Sequence, residues 1–138
     1  LDKVGTEASI IAKNKRIRKL VKSFQINSAY NPPKKYNGSC LDGRDITYNI
    51  IPDADFKFYI TASINERSKR RSLELKRLGK KNNLRDIVKS LKKRDQSDKN
   101  RSRKQGRLEK TKDSRLINTT RLSINEGFLK IKKIIDRS

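Results

Sequence analysis

Phe56-Lys57-Phe58-Tyr59-Ile60-Thr61-Ala62, followed without a break by Ser63-Ile64-Asn65-Glu66, is the stretch that decides the fold. It is aromatic and β-branched, and Pro52-Asp53-Ala54-Asp55 punctuates its upstream side, which specifies a short strand. Ser63 with Glu66 three residues on has the form of a capping box, so a helix starts where the strand ends. That helix is expected to run to about Leu78 and to stop at Gly79. Another begins near Asn83, with Leu84, Ile87, Val88 and Leu91 on one face. Leu116-Ile117 suggests a second short strand. Ser123 and Glu126 repeat the capping pattern and open a final helix bearing Phe128, Leu129, Ile131, Ile134 and Ile135. Strands alternating with helices predict an α/β layer with parallel strands.

Upstream, Val4, Ala8, Ile11, Ile17, Leu20, Val21 and Phe24 recur mostly at spacings of three or four, so residues 3–26 read as an amphipathic helix or two short ones. Asn31-Pro32-Pro33-Lys34-Lys35-Tyr36-Asn37-Gly38 is a loop by its turn residues. Ser39 to Leu41 is expected to form a short strand that delivers Asp42-Gly43-Arg44-Asp45. Residues 99–113 are highly charged and lack an apolar stripe, so they read as a loop or mobile segment. No internal repeat is visible.

The 138 residues carry 37 Lys and Arg against 15 Asp and Glu, a formal net charge of +22, and only 32% of them are hydrophobic. No apolar run approaches the roughly 18 residues of a membrane span. There is no histidine, and Cys40 is the only cysteine. Those counts exclude a Cys/His zinc site, histidine general-base chemistry and an internal disulfide, and no metal ligand is assigned. A lone cysteine and no visible signal peptide together predict a reducing, cytoplasmic setting. The chain begins at Leu1 and contains no methionine, which fits either removal of a few residues or a missing upstream segment.

Charge concentrates in the middle. Glu66 to Arg115 holds 21 Lys and Arg against 7 Asp and Glu, a local excess of 14. A field of that sign attracts phosphate groups. Most of the lysines read as solvated helix faces, whereas an arginine fork grips phosphate oxygens in a way lysine cannot. Arg67, Arg70 and Arg71 fall within about one helical turn.

Two motifs carry the chemistry. Asp42-Gly43-Arg44-Asp45 follows an expected strand, at the end where open α/β sheets bind ligands. Gly43 permits close approach, Arg44 supplies a cationic fork, and Asp42 and Asp45 supply acceptors. Read alone, the same four residues make an ordinary Asp-Gly turn. Arg94, Asp98 and Arg101 share a helical face through i+4 and i+3 spacing, so one carboxylate could orient two guanidiniums toward an anion. Read alone, they make an exposed ion-pair ladder of small energetic value.

Taken in order, the motifs resemble bacterial cytidylate kinases. The likeness rests on Asp42-Gly43-Arg44-Asp45-Ile46, Pro52-Asp53-Ala54-Asp55-Phe56-Lys57-Phe58-Tyr59-Ile60-Thr61-Ala62-Ser63, Glu66-Arg67 with Arg70-Arg71, Arg94-Asp95 with Asp98 and Arg101, and Asn118-Thr119-Thr120-Arg121-Leu122-Ser123-Ile124. Upstream, Val4-Gly5 with Ala8-Ser9 and Arg16-Ile17-Arg18 look like the end of that family's nucleoside-monophosphate-binding insert. The resemblance implies a P-loop-kinase α/β fold, a parallel sheet flanked by helices with its N-terminal part missing. Residues 1–38 would be the end of the insert and a connecting loop. Residues 39–138 would be the carboxyl-terminal part of the core, with a lid region at about 64–80.

The implied reaction is ATP + CMP → ADP + CDP, with dCMP as a second acceptor, ATP as co-substrate and Mg²⁺ as cofactor. By the same resemblance, Ser9, Arg18 and Asp45 read the cytosine edge, with Asp42 and Gly43 in the same substrate loop. Arg44 holds the CMP phosphate, Arg94 and Asp98 hold sugar and phosphate, and Arg101 is the last arginine of that motif. Arg67, Arg70 and Arg71 belong to the lid over the ATP phosphates. A cytoplasmic monomer is the implied state.

Three departures stand out. Thr47-Tyr48 replaces the family's usual Gly-Thr, Asn118 replaces an Asp, and Gly-x-x-x-x-Gly-Lys-[Ser/Thr] occurs nowhere in the 138 residues. Without that phosphate cradle the chain alone is expected to be catalytically incompetent. The competing reading is a basic RNA-binding or ribosome-associated protein, which would explain the charge by backbone-dominated binding. Against it stand the ordered Asp/Arg pairs and the absence of a recognisable RNA-binding motif.

Overall fold

Asn14, Ser63, Asn83 and Ser123 each open a helix in the computed structural model, which describes Ile11 and residues 14–137 apart from the side chain of Gln105. The helices are α1 (Lys15–Tyr30), α2 (Ile64–Arg77), α3 (Leu84–Asn100) and α4 (Ile124–Ile135). In each case a short polar side chain accepts from a backbone N–H of the first turn, which satisfies a donor the helix leaves open. Only Ser123 completes the reciprocal box, with its own N–H donating to Glu126 at 2.7 Å. At Ser63 the equivalent N–H donates to Thr120 Oγ1 at 2.9 Å, and the Glu66 carboxylate turns instead to Arg70 at 3.0 Å.

Among the described residues two strands form, β1 (Phe58–Thr61) and β2 (Arg115–Asn118), paired in parallel with Ile60 opposite Ile117. The fold is therefore α/β, as the alternation predicts, with α2 and α3 making the crossover that parallel strands require. Bonds from Arg115 N to Lys57 O and from Thr119 N to Thr61 O extend the ladder at both ends.

The backbone divides into two compact units. One comprises the described residues up to Ala54 together with Ser102–Glu109, and the other comprises Asp55–Arg101 and the residues from Lys110 onward. In the second unit Leu75 of α2, Ile87 of α3 and Ile117 of β2 are buried. The α2–α3 connection is held by Asn82, which accepts from Ser72 Oγ at 2.7 Å. Gly79 takes a φ of 68° just after α2, where the sequence places the stop. In the first unit Ile46 and Ile50 are buried, and both lie on a single π-helical turn, Ile46–Ile50.

Four expectations need correction or extension. Residues 39–41 form no strand; the chain passes through them in irregular backbone and winds directly into the π turn. Helix α1 continues past residue 26 to Tyr30 and stops before Pro32, which restricts the residue preceding it. The 99–113 stretch is more ordered than its composition suggests. Helix α3 continues to Asn100, and Arg103–Gln105 forms a 3₁₀ turn. The apolar stripe of α1 remains at the surface, with Leu20 and Phe24 each 71% exposed. Residues 1–10, 12 and 13, and with them Ser9 and the first part of the expected N-terminal helix, lie outside the described residues.

Candidate functional site

In the first unit, α1 and the π turn present paired side chains at matching intervals. Arg18 and Lys22 lie one turn apart on α1, and Asp45 and Asn49 lie one turn apart across the start of the π turn. The wider turn of a π helix is a local irregularity often found at functional sites. Asn49 donates through Nδ2 to Asp45 Oδ2 at 2.7 Å, and Lys22 Nζ donates to Asn49 Oδ1 at 2.7 Å. Arg18 Nη2 donates to the carbonyl of Lys104 at 3.3 Å.

Segment 102–109 closes this arrangement. Gly106 is buried with a φ of 73°, and a Cβ there would stand 3.1 Å from Asp45 Oδ2 and 3.4 Å from Arg18 Nη2. The guanidinium and the carboxylate thus converge on one backbone position, which only glycine fits comfortably. Tyr48 fixes the segment. Its hydroxyl donates to Arg107 O at 2.7 Å, and the Arg103 guanidinium lies over its ring, 5.0 Å from the centroid. Arg103 and Arg107 both bind Glu109, at 2.6 and 2.9 Å, and hold its carboxyl down to about 2. Tyr48 is shifted upward, first by burial and then by the negative charges of Asp45 and Glu109.

The other residues of the Asp-Gly-Arg-Asp motif are placed simply. Asp42 is exposed and Arg44 half-buried. A Cβ on Gly43 would meet Ile46 Cγ1 at 2.9 Å, so the close neighbour of this glycine is a core side chain.

The second unit holds the remaining arginines. Arg67 donates from Nη1 and Nη2 to the two oxygens of Asp95 at 2.9 and 2.6 Å, and from Nε to Ala62 O at 3.1 Å. This fork joins α2 to α3; it lowers the Asp95 carboxyl and raises Arg67, the hydrogen bond being the largest cause in each. Arg70 reaches the turn after β2, donating to Thr119 Oγ1 at 3.2 Å, Thr119 O at 2.7 Å and Leu122 O at 3.1 Å. Arg71 pairs with Glu74 at 2.8 Å. On α3, Arg94 is exposed and Asp98 buried, and Arg101 Nη1 lies 3.8 Å from Asp98 Oδ1 just past the helix end.

The sequence model described as cytidylate kinase matches residues 1–137. This chain belongs to the cytidylate kinase family. It is 39% identical over 133 residues to a cytidylate kinase of Bartonella bacilliformis, covering 96% of this chain and 59% of that protein. A cytidylate kinase of Clostridium botulinum is 41% identical over 134 residues, covering 97% and 58%. One from Mesomycoplasma hyopneumoniae is 34% identical over 136 residues, covering 99% and 57%. The chain thus spans less than three fifths of the length of these relatives.

Among the described residues no three His, Cys, Asp or Glu side chains gather as a metal site. The sequence contains no P-loop serine or threonine that would hold Mg²⁺. The residues present do not by themselves fit Mg²⁺ and the ATP phosphates. The cluster around Asp45 is larger than the motifs suggest. Asn49, Lys22 and Gly106 join Arg18 and Asp45, and Asp95 emerges as the partner of Arg67. The i+4 pairing of Arg18 with Lys22 and of Asp45 with Asn49 was the available sequence signal. Nothing in the charged 102–109 segment announced Gly106.

Proposed function

We propose that this chain provides the nucleotide-acceptor part of an ATP:CMP phosphotransferase, taking CMP or dCMP to the diphosphate. The observation that carries the reading is the convergence of Arg18 and Asp45 on Gly106. A carboxylate only accepts and a guanidinium only donates. Side by side they complement a heterocycle edge that presents an amino donor beside ring acceptors, which is the edge of cytosine. Arg44 then serves the acceptor phosphate, and Asp42 and Gly43 shape its loop. Residues up to 38 belong to the monophosphate-binding insert, and those from 39 to the core.

In the second unit, Arg94, Asp98 and Arg101 serve the sugar and phosphate, and Arg71 remains a lid residue for the donor phosphates. Arg67 and Arg70 act chiefly by bracing α2 against α3 and against the turn after β2. Phosphoryl transfer depends mainly on positioning and charge neutralisation, which clustered arginines supply. ATP and Mg²⁺ belong to the complete reaction; the 138 residues alone are inactive because no phosphate cradle is among them. The setting is cytoplasmic and the chain acts as a monomer.

Calorimetric titration with CMP, UMP and AMP tests the reading. Saturable CMP binding, with AMP at least tenfold weaker, supports it. Indifference to CMP combined with tight, salt-sensitive RNA binding overturns it in favour of the nucleic-acid reading.

A further inference from the structure

We infer that Asn49, oriented by Lys22, is a positioning residue that sets the discrimination between cytosine and uracil; the inference rests on Asp45 facing the base. The chain of bonds runs from Lys22 Nζ to Asn49 Oδ1, and from Asn49 Nδ2 to Asp45 Oδ2, each 2.7 Å. Its direction is fixed by chemistry. An ammonium group can only donate, so the amide oxygen must face Lys22 and the amide N–H₂ must face Asp45. Asp45 Oδ2 is therefore committed to an N–H donor. Arg18 and Gly106 close the same side of the carboxylate, each approaching the same point beside Oδ2.

That leaves Oδ1 as the oxygen directed to a ligand, held at one angle. Cytosine offers an amino donor at the position where uracil offers a carbonyl acceptor. A carboxylate that cannot rotate meets the first with a hydrogen bond and the second with lone-pair repulsion. A carboxylate free to rotate could turn away from the uracil carbonyl or admit a bridging water, and would discriminate less. All four side chains are at most half-exposed, so the bonds compete with little solvent. Neither Lys22 nor Asn49 belongs to the motifs by which the family resemblance is read, so the device is a property of this chain.

The test is the ratio of CMP to UMP dissociation constants, measured on the full 138-residue chain for wild type, Asn49→Leu and Lys22→Met. Wild type is expected to prefer CMP. Asn49→Leu should reduce that preference about tenfold, and Lys22→Met about threefold, chiefly through tighter relative binding of UMP. A merely structural role would weaken both nucleotides alike and leave the ratio in place. If wild type prefers CMP and both variants keep its ratio, the inference is overturned while the proposed function stands. If wild type binds neither nucleotide, the functional reading falls and takes the inference with it. Should Asn49→Leu fail to fold, the side-chain amide resonances of Asn49 in wild type decide: they should shift on addition of CMP and not of UMP, and equal response to both overturns the inference.

Discussion

A Cβ on Gly106 would lie 3.1 Å from Asp45 Oδ2, tighter than nine in ten real Cβ contacts. The two residues are brought together because Gly106 adopts a φ of 73° at the end of a 3₁₀ turn whose Lys104 carbonyl is capped by Arg18. The backbone of 102–109 is in this way one wall of the Asp45 environment.

Gly106→Ala is therefore expected to act twice. The left-handed backbone costs a non-glycine residue about 1–2 kcal/mol, and the methyl group pushes Asp45 away from Arg18. Urea denaturation should show a loss of that size in the first unit. CMP affinity should fall at least tenfold. An alanine variant with wild-type affinity would show that Asp45 does not face the nucleotide in this geometry.

Tyr48 turns out to be an anchor. It stands where the family pattern carries a threonine, and its phenol turns to the 102–109 segment and bonds Arg107 O at 2.7 Å. Tyr48→Phe keeps the ring beneath Arg103 but removes that bond, worth about 1 kcal/mol. Amide exchange in residues 102–109 should accelerate roughly fivefold while exchange in α2 and α3 stays unchanged; acceleration throughout the chain would argue for a global role.

In the second unit, Arg67→Ala removes the pair of hydrogen bonds to Asp95. Both side chains are more than a third exposed, so solvent screening reduces the cost to about 1 kcal/mol despite the paired geometry. Arg67→Lys should recover less than half, because an ammonium cannot form the fork. A double-mutant cycle with Asp95→Asn measures the coupling. A coupling near zero would release Arg67 from its structural duty and return it to the set of residues available to a phosphate.

The second unit was largely legible from sequence. Ser63, Asn83 and Ser123 each mark a helix start by a local bond, Gly79 marks a stop, and the aromatic and β-branched run of β1 specifies a strand on its own. The first unit was less so. Its order comes from side-chain bonds between distant segments, such as Arg18 with Lys104 and Tyr48 with Arg107, and no local periodicity encodes them. Residues 99–113 lack an apolar stripe because ion pairs and a buried glycine hold their central part. Ser39–Leu41 misled because three residues before a turn resemble a strand, whereas the buried Ile46 and Ile50 pull the chain into a π turn. Of the site, the motifs point to Arg18 and Asp45; Asn49 is marked only by its i+4 spacing from Asp45, and nothing in its charged loop marks Gly106.

The attachment of 102–109 should depend on pH from both sides. Arg103 and Arg107 lower the Glu109 carboxyl to about 2, from an unperturbed 4.5. A lowered carboxyl stabilises the folded segment fully above about 4.5, and that stabilisation is lost as pH falls toward 2, where protonation frees both arginines. Tyr48 behaves oppositely. Its raised value means that stabilisation is present below the ordinary 10 and is lost as pH rises through the higher folded value, because a buried phenolate near Asp45 and Glu109 is disfavoured and can no longer donate to Arg107. The Gly106 amide resonance should consequently hold steady from about pH 5 to 9 and shift beyond each limit. Glu109→Gln should flatten the acid limb alone, and Tyr48→Phe the alkaline limb alone. Should Glu109→Gln leave the acid limb in place, the acid change would belong to general unfolding and not to the arginine clasp.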